Sequence, residues 1–320
     1  MFQTRVEIPP SEFKISYQHS LLALGSCFAE NIGRKLSKLY FETELNPFGV
    51  LYNPTSIANS ILTLLNNRSF TSNDIFLQDG LWKSFAHSSL FSARKAEDCL
   101  ALINDRLENA IIFLQRADYL LITFGTAWVF EEKETGRIVS NCHKLPARNF
   151  IRRRLTVLDI VTQYATLLKE LSQRFPKLKV LFSVSPIRHF KDGAHENNLS
   201  KSTLLLAIEQ LQVLFPQQVL YFPAYEIQLD ELRDYRFYAS DMAHPSDVAV
   251  DYIWERFSET YFSAGTMQTK AEFEQLYADL NHRPLHTDSP EFLQFQQALE
   301  KRKLKLLENY PFLSNRVNFN

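Results

Sequence analysis

The sequence predicts an α/β fold, a three-layer α/β/α sandwich with a parallel five-stranded sheet and a C-terminal helical extension. Two observations lead there. Short apolar runs alternate with segments of helical periodicity about five times along the chain, the order that builds a parallel sheet with right-handed crossovers and helices on both faces. One of those runs, YLLITFG, is a continuous apolar stretch, as a strand buried on both faces must be.

The first strand is expected over residues 20–24 (SLLAL), ending at Gly25. AENIGRKLSKLY follows with Ile32, Leu36 and Leu39 at helical spacing. Residues 43–45 read as a short extended piece closed by NPFG. TSIANSILTLLNN places Ile57, Ile61 and Leu65 on one helix face, with Thr55 or Ser56 as its cap. Residues 68–92 are irregular and aromatic, an insertion over one edge. A helix over 96–115 leads into YLLITFG, and 128–139 reads as a hairpin turning at Thr135-Gly136. Helix 157–175 precedes strand 178–184, helix 199–211 precedes strand 218–222, and VAVDYIWERFSETYF carries Val250, Ile253, Trp254, Phe257 and Tyr261 on one stripe. Beyond about residue 265 the pattern changes to two helices, 270–277 and 291–309, the second bearing the basic run KRKLK, which reads as a solvated face. The organisation expected is therefore a main α/β domain over 1–264 and a helical extension over 265–320 packed on it.

Bulk properties narrow the function. Among 320 residues, 45% are hydrophobic and 22% charged, with 35 Lys plus Arg against 36 Asp plus Glu and a net charge of −1. That balance offers no long-range attraction to nucleic acid or an anionic membrane. The three cysteines form no C-x-x-C pair, which argues against a thiolate zinc site and a disulfide framework. No secretory leader opens the chain and no run of about 18 apolar residues occurs, so a cytoplasmic setting is expected. The GSCF turn lacks P-loop spacing and its lysine, and no metal or cofactor is expected.

In open parallel sheets, ligands sit beyond the carboxyl ends of the strands. Ser26 follows the first strand and opens a helix, where free N–H groups and the helix dipole face whatever its hydroxyl attacks; a plain helix cap is the other reading. Asp241-Met242-Ala243-His244-Pro245 follows the fifth strand. A serine nucleophile needs a base, and the base a carboxylate to fix its tautomer, which Asp241 and His244 supply from one turn. Cys27 is a poorer nucleophile candidate, its side chain directed away from that of Ser26.

Gly25-Ser26-Cys27-Phe28-Ala29 is the signature string of the GSCFA family, which resembles the SGNH hydrolases. NPFGVLYNP (46–54), FGTAWVF (124–130), NCHKLP (141–146), SVSPIRHFKDG (183–193) and DELRDYRFYASDMAHPS (230–246) resemble the same family, in order, over about residues 20 to 262. The resemblance implies strand order 2-1-3-4-5 and a triad of Ser26 as nucleophile, His244 as base and Asp241 as its partner. It implies a serine esterase or O-acyl transferase acting on O-acyl, chiefly acetyl, groups of a carbohydrate-like substrate, or else a dormant relative that binds or assembles. In SGNH enzymes a glycine after the second strand donates its N–H to the oxyanion, and Gly49 matches. An asparagine after the third strand adds a second donor; here Gly125-Thr126-Ala127-Trp128 stands instead, leaving Asn141 or Thr126 to fill the place. Arg188, His189 and Lys191, after the fourth strand, are candidates for an anionic or sugar substrate, with Trp128 and His143 as lesser ones. Alternatively, Arg188 pairs with Asp241 or Asp234.

Overall fold

The computed structural model describes residues 4–282 and 290–316. Strands β1 (Ser20–Gly25), β2 (Glu42–Leu45), β3 (Tyr119–Phe124), β4 (Lys179–Val184) and β5 (Val219–Phe222) form one sheet in the order β5-β4-β3-β1-β2. Every neighbouring pair is parallel. This is the 2-1-3-4-5 order that the resemblance implies.

Period-2 alternation sends the apolar residues of each strand to opposite faces. Leu22, Leu24, Leu120, Ile122, Phe124, Val180 and Phe182 enter one core with helices α2 (Pro54–Leu65), α3 (Ala96–Leu114), α4 (Val157–Arg174) and α5 (Gly193–Leu214). Leu21, Ala23, Tyr119, Leu121 and Leu181 enter the other with α1 (Cys27–Lys38), α6 (Asp247–Tyr261), α7 (Ala264–Leu280) and α8 (Pro290–Asn309). The C-terminal helices bury Phe273, Leu276 and Leu306 in that second core beside Tyr17 and Phe41. Arg316 ties the end to the body, donating to Tyr17 O at 2.8 Å and to Glu42 at 2.9 Å. Among the described residues, no helix is long and apolar enough to cross a membrane.

Several local expectations shift. α2 is capped by Asn53, whose side chain accepts from Ser56 N at 2.8 Å, and Pro54 opens the helix; Thr55 and Ser56 lie inside it. Proline at the first helical position has no N–H to leave orphaned, which makes the start one turn earlier favourable. α5 begins at Gly193, earlier than its apolar stripe indicates. The insertion at 68–92 contains a hairpin, Phe76–Gln78 with Leu81–Lys83, turning at Asp79-Gly80 with φ 52° and 74°. The hairpin over 128–139 is present as Trp128–Glu132 with Ile138–Val139, and a third strand, Phe150–Arg154, extends it antiparallel. This small sheet rises from the end of β3 and walls the carboxyl edge of the main sheet.

At the β1–α1 junction the chain turns from strand to helix in one residue. Gly25 has φ 142°, and a Cβ there would stand 2.3 Å from Thr123 O. Gly25→Ala is therefore expected to cost about 3 kcal/mol or more, from positive φ and overpacking together. Urea unfolding of the variant checks this; a loss under about 1 kcal/mol would show that the junction yields without strain.

Candidate active site

The loops after all five strands gather at one edge of the sheet. Ser26 caps α1: its backbone is extended (φ −70°, ψ 176°) and its Oγ accepts from Phe28 N at 3.3 Å. Its own N–H donates to Thr123 O at 3.2 Å. Gly125 packs against it, close enough that a Cβ on that glycine would lie 3.4 Å from Ser26 Cβ and 3.0 Å from Tyr52 O. Ser26 is consequently 0% exposed. The neighbouring Cys27 Sγ faces Tyr52 Oη at 3.5 Å.

Asp241 and His244 form a self-contained turn. Asp241 Oδ1 accepts from the backbone N–H groups of Ala243 and His244, each at 2.9 Å, and Oδ2 meets His244 Nδ1 at 2.5 Å. The His244 and Ala243 N–H groups, with the imidazole, hold the Asp241 carboxyl down to about 2, so it stays ionised. An ionised carboxylate only accepts, which places the proton on Nδ1 and leaves Nε2 of the neutral ring as the basic nitrogen. Met242 takes φ 56° to let the turn close, and Ala239 N donates to His244 O at 2.8 Å.

His244 lines a cleft of about 810 Å³ together with Tyr52, Trp128, Asn141, Arg188 and His189. Arg188 N donates to Ala243 O at 3.1 Å, joining the loop after β4 to the His244 turn. Ser26 lies beneath this cleft rather than on its surface. Its Oγ makes no hydrogen bond to His244 in this structure: Ser26 Oγ accepts from Phe28 N, and the His244 ring bonds through Nδ1 to Asp241.

The three candidate oxyanion donors differ in how far they are committed. Gly49 N–H donates to Asn46 O at 2.7 Å, closing the turn after β2. Thr126 Oγ1 shares a 3.0 Å hydrogen bond with Ser200 Oγ and accepts from Trp128 N at 3.1 Å, while its N–H donates to Tyr52 O. Asn141 Nδ2 makes one long bond, 3.3 Å to Ser89 Oγ, and its Oδ1 accepts from His143 N. The asparagine, on the cleft wall, thus retains a free amide N–H.

The remaining candidates separate. Trp128 lines the cleft with the Arg152 guanidinium 4.4 Å over its ring, and its Nε1 is buried with no partner. His189 lines it too, edge-on to Tyr52, with Nε2 buried and unpartnered; burial, and then the nearby Lys201 and His244 charges, bring its pKa down to about 4. Arg188 pairs with neither Asp241 nor Asp234, since Asp241 holds His244 and Asp234 meets Arg236; its guanidinium stacks on Phe190 and Tyr238 instead. Lys191 sits over Phe130 on the same wall. His143 stands apart: buried under the insertion, with Nε2 on Ser84 O at 2.8 Å, it does not reach the cleft. Among the described residues, no group of three or more His, Cys, Asp or Glu side chains is placed to hold a metal ion.

One residue beneath the cleft was not singled out from the sequence. Lys201 is buried in α5 and donates to Gly125 O and Ser185 O, each at 2.7 Å, tying the ends of β3 and β4 together. Its position three, seven and ten residues before Leu204, Ile208 and Leu211 puts it on the buried stripe of α5, a signal the sequence carried. A lysine there is worth explaining, and two N–H donors for two carbonyls explain it.

Fold and site together define an α/β protein with a buried serine at a helix start and an Asp–His pair on the same sheet edge. The chain belongs to the GSCFA family, whose model matches residues 20–257. A second model, described as GSCFA domain protein, C-terminal domain, matches residues 273–318. A search of curated proteins returned no match.

Burial lowers the Lys201 pKa from 10.5 to about 7, so the unfolded chain binds more protons than the native one between those values. Stability from this group is fully present above the unfolded value and lost as pH falls to about 7. Wild-type stability is thus expected to rise from pH 7 to 9, and Lys201→Met to flatten that slope, as chemical denaturation across the range will measure; equal slopes would place a charged lysine in the core.

Proposed function

We propose that the chain is a serine hydrolase or acyl transferase of the SGNH type, acting on O-acyl, chiefly acetyl, groups of a carbohydrate-like molecule. The observation that carries this reading is the Asp241–His244 pair, fixed in the tautomer a general base needs and lining a cleft at the edge where Ser26 caps α1. In the reaction, Ser26 Oγ adds to the ester carbonyl as its proton passes to His244 Nε2. The bond to the alcohol breaks, the alcohol leaves with that proton, and the acyl group stays on Ser26. Water or an acceptor hydroxyl then adds to the acyl carbonyl with His244 as base, and Ser26 is released. Asp241 stabilises the imidazolium in both halves, and the Asn141 amide supplies a side-chain donor to the oxyanion.

Because Ser26 is fully covered, attack requires the loops around it, that of Gly125 among them, to open, with substrate drawing Ser26 and His244 into reach; hydrogen bonds of this kind commonly tighten only in the complex. The same burial favours a second reading, a dormant site that binds without cleaving, in which Ser26 is a helix cap alone.

A fluorophosphonate probe separates the two. Under the hydrolase reading, intact mass shows one adduct on wild type, lost in Ser26→Ala and strongly reduced in His244→Ala. An adduct that persists in Ser26→Ala would reject Ser26 as nucleophile, and no adduct alongside no turnover of acetylated sugars would favour the dormant site. Where turnover is found, Asn141→Ala is expected to lower kcat by about 100-fold, the usual size for loss of one oxyanion donor, with Thr126→Val far milder. Equal losses in the two variants would move the oxyanion donor away from Asn141.

A further inference from the structure

The cleft carries more positive charge than the chain as a whole provides for. Four basic side chains line it, Lys144, Arg152, Arg188 and Lys191, against one acidic residue, Asp192, in a protein whose net charge is −1. Arg152 and Asp192 form a two-pronged ion pair with each other. The other three have no carboxylate partner among the described residues.

Two of these three cations are positioned by aromatic faces with no carboxylate in direct contact among the described residues, Lys191 feeling only the through-space charge of the Arg152-bound Asp192. The Arg188 guanidinium lies 4.2 Å from the Phe190 ring centroid and 5.3 Å from that of Tyr238, and Lys191 Nζ lies 5.3 Å from that of Phe130. Stacking occupies the π face of a guanidinium and leaves its in-plane N–H donors open. An aromatic clamp of this kind restricts rotamers while preserving the charge, which is what an anion site needs and what a structural ion pair would abolish. On the same cleft, Trp128 Nε1 is a buried donor with no acceptor among the described residues. Such a group is destabilising when left unsatisfied, and an acceptor on a ligand that reached it would remove the penalty.

We propose that this cleft recognises an oxyanion on its ligand, carboxylate or phosphate, through Arg188, Lys191 and Lys144. Resting on the esterase or transferase reading above, the substrate class is then an acylated acidic carbohydrate, its anionic group on the wall formed by the loop after β4 and its ester towards His244. Arg188 is joined through its own backbone to the His244 turn, so the anion and the reacting ester are read by adjoining segments.

Calorimetric titration of glucuronate, glucose 6-phosphate and glucose into wild type and Ser26→Ala tests the anion site apart from catalysis. One or both anions are expected to bind about tenfold or more tightly than glucose, to both proteins, with affinity falling as salt rises. The stronger of the two identifies carboxylate or phosphate as the group recognised. Arg188→Gln and Lys191→Gln are each expected to weaken that binding about tenfold, the size of a lost charge-assisted hydrogen bond, with unchanged thermal unfolding. Glucose binding as well as the anions, no binding of either anion up to about 10 mM, or full affinity in both Gln variants overturns the proposal. Anion binding that survives when neither a fluorophosphonate adduct nor turnover of acetylated sugars is found would retire the catalytic reading and leave the anion site standing.

Discussion

The carboxyl edge of the sheet is organised by the contact between Gly25 and Thr123. β1 lies between the central strand β3 and the edge strand β2, and its last residue approaches the β3 backbone so closely that no side chain fits between them. That approach lets the chain leave the strand and enter α1 within one residue, with Ser26 as the cap. Gly25 is also where the loop after β2 attaches: its N–H donates to Asn46 Oδ1 and its carbonyl accepts from Leu51 N, both at 2.9 Å. Asn46, at φ 44°, accepts in turn at its carbonyl from Gly49 N, so a sharp turn fixes the second loop relative to the first. The third loop is held by Tyr52 O, which accepts from both Gly125 N and Thr126 N. Three loops are thereby joined by backbone hydrogen bonds, which persist under side-chain substitution as long as the junction holds.

The two halves of the candidate triad depend on different physics. The Asp241–His244 pair is local: three residues apart, closed by two backbone N–H bonds to one carboxylate oxygen, it needs only the turn to form. Ser26 is non-local, with its surroundings supplied in part by Thr123 and Gly125, about 100 positions away. The turn is exposed and hydrogen-bonded to itself, whereas the serine is dry and hydrogen-bonded to its helix. Bringing them together requires movement at the loops and none in the sheet, where the rigid elements already set both on one edge.

This division also decides what the sequence could disclose. The five strands were readable because apolar runs buried on both faces leave an unbroken signal, and the Asp–His turn because its partners are neighbours in the chain. The Asp79-Gly80 hairpin carried a readable signal, two left-handed residues between FLQ and LWK, but the aromatic residues around it hide the alternation that strands normally show. Asn53 as the cap of α2 lay one turn ahead of the apolar periodicity, marked only by the proline after it. The burial of Ser26 was out of reach, since Gly125, about 100 residues further on, packs against it and no local pattern links the two positions. His143, near Asn141 in the sequence, is turned away from the cleft by a left-handed backbone at φ 48°, an orientation that its spacing does not encode.

Lys201 shows how the buried floor and the open cleft are coupled. Its amine holds Gly125 O and Ser185 O, one from the loop that covers Ser26 and one from the loop that presents Arg188 and His189. A positive charge on that amine disfavours a second one on His189, and burial pushes both groups towards their neutral forms. The floor is thus biased towards its neutral forms while the wall, through Arg188, Lys191 and Lys144, carries the positive potential. Uncharged groups can be sealed away from water at modest cost, and charged ones are held on aromatic faces where water or a ligand can still reach them. An anion entering this cleft therefore meets cations that have not been desolvated in advance, above a dry layer where a serine hydroxyl and the backbone donors around it lie out of competition with water.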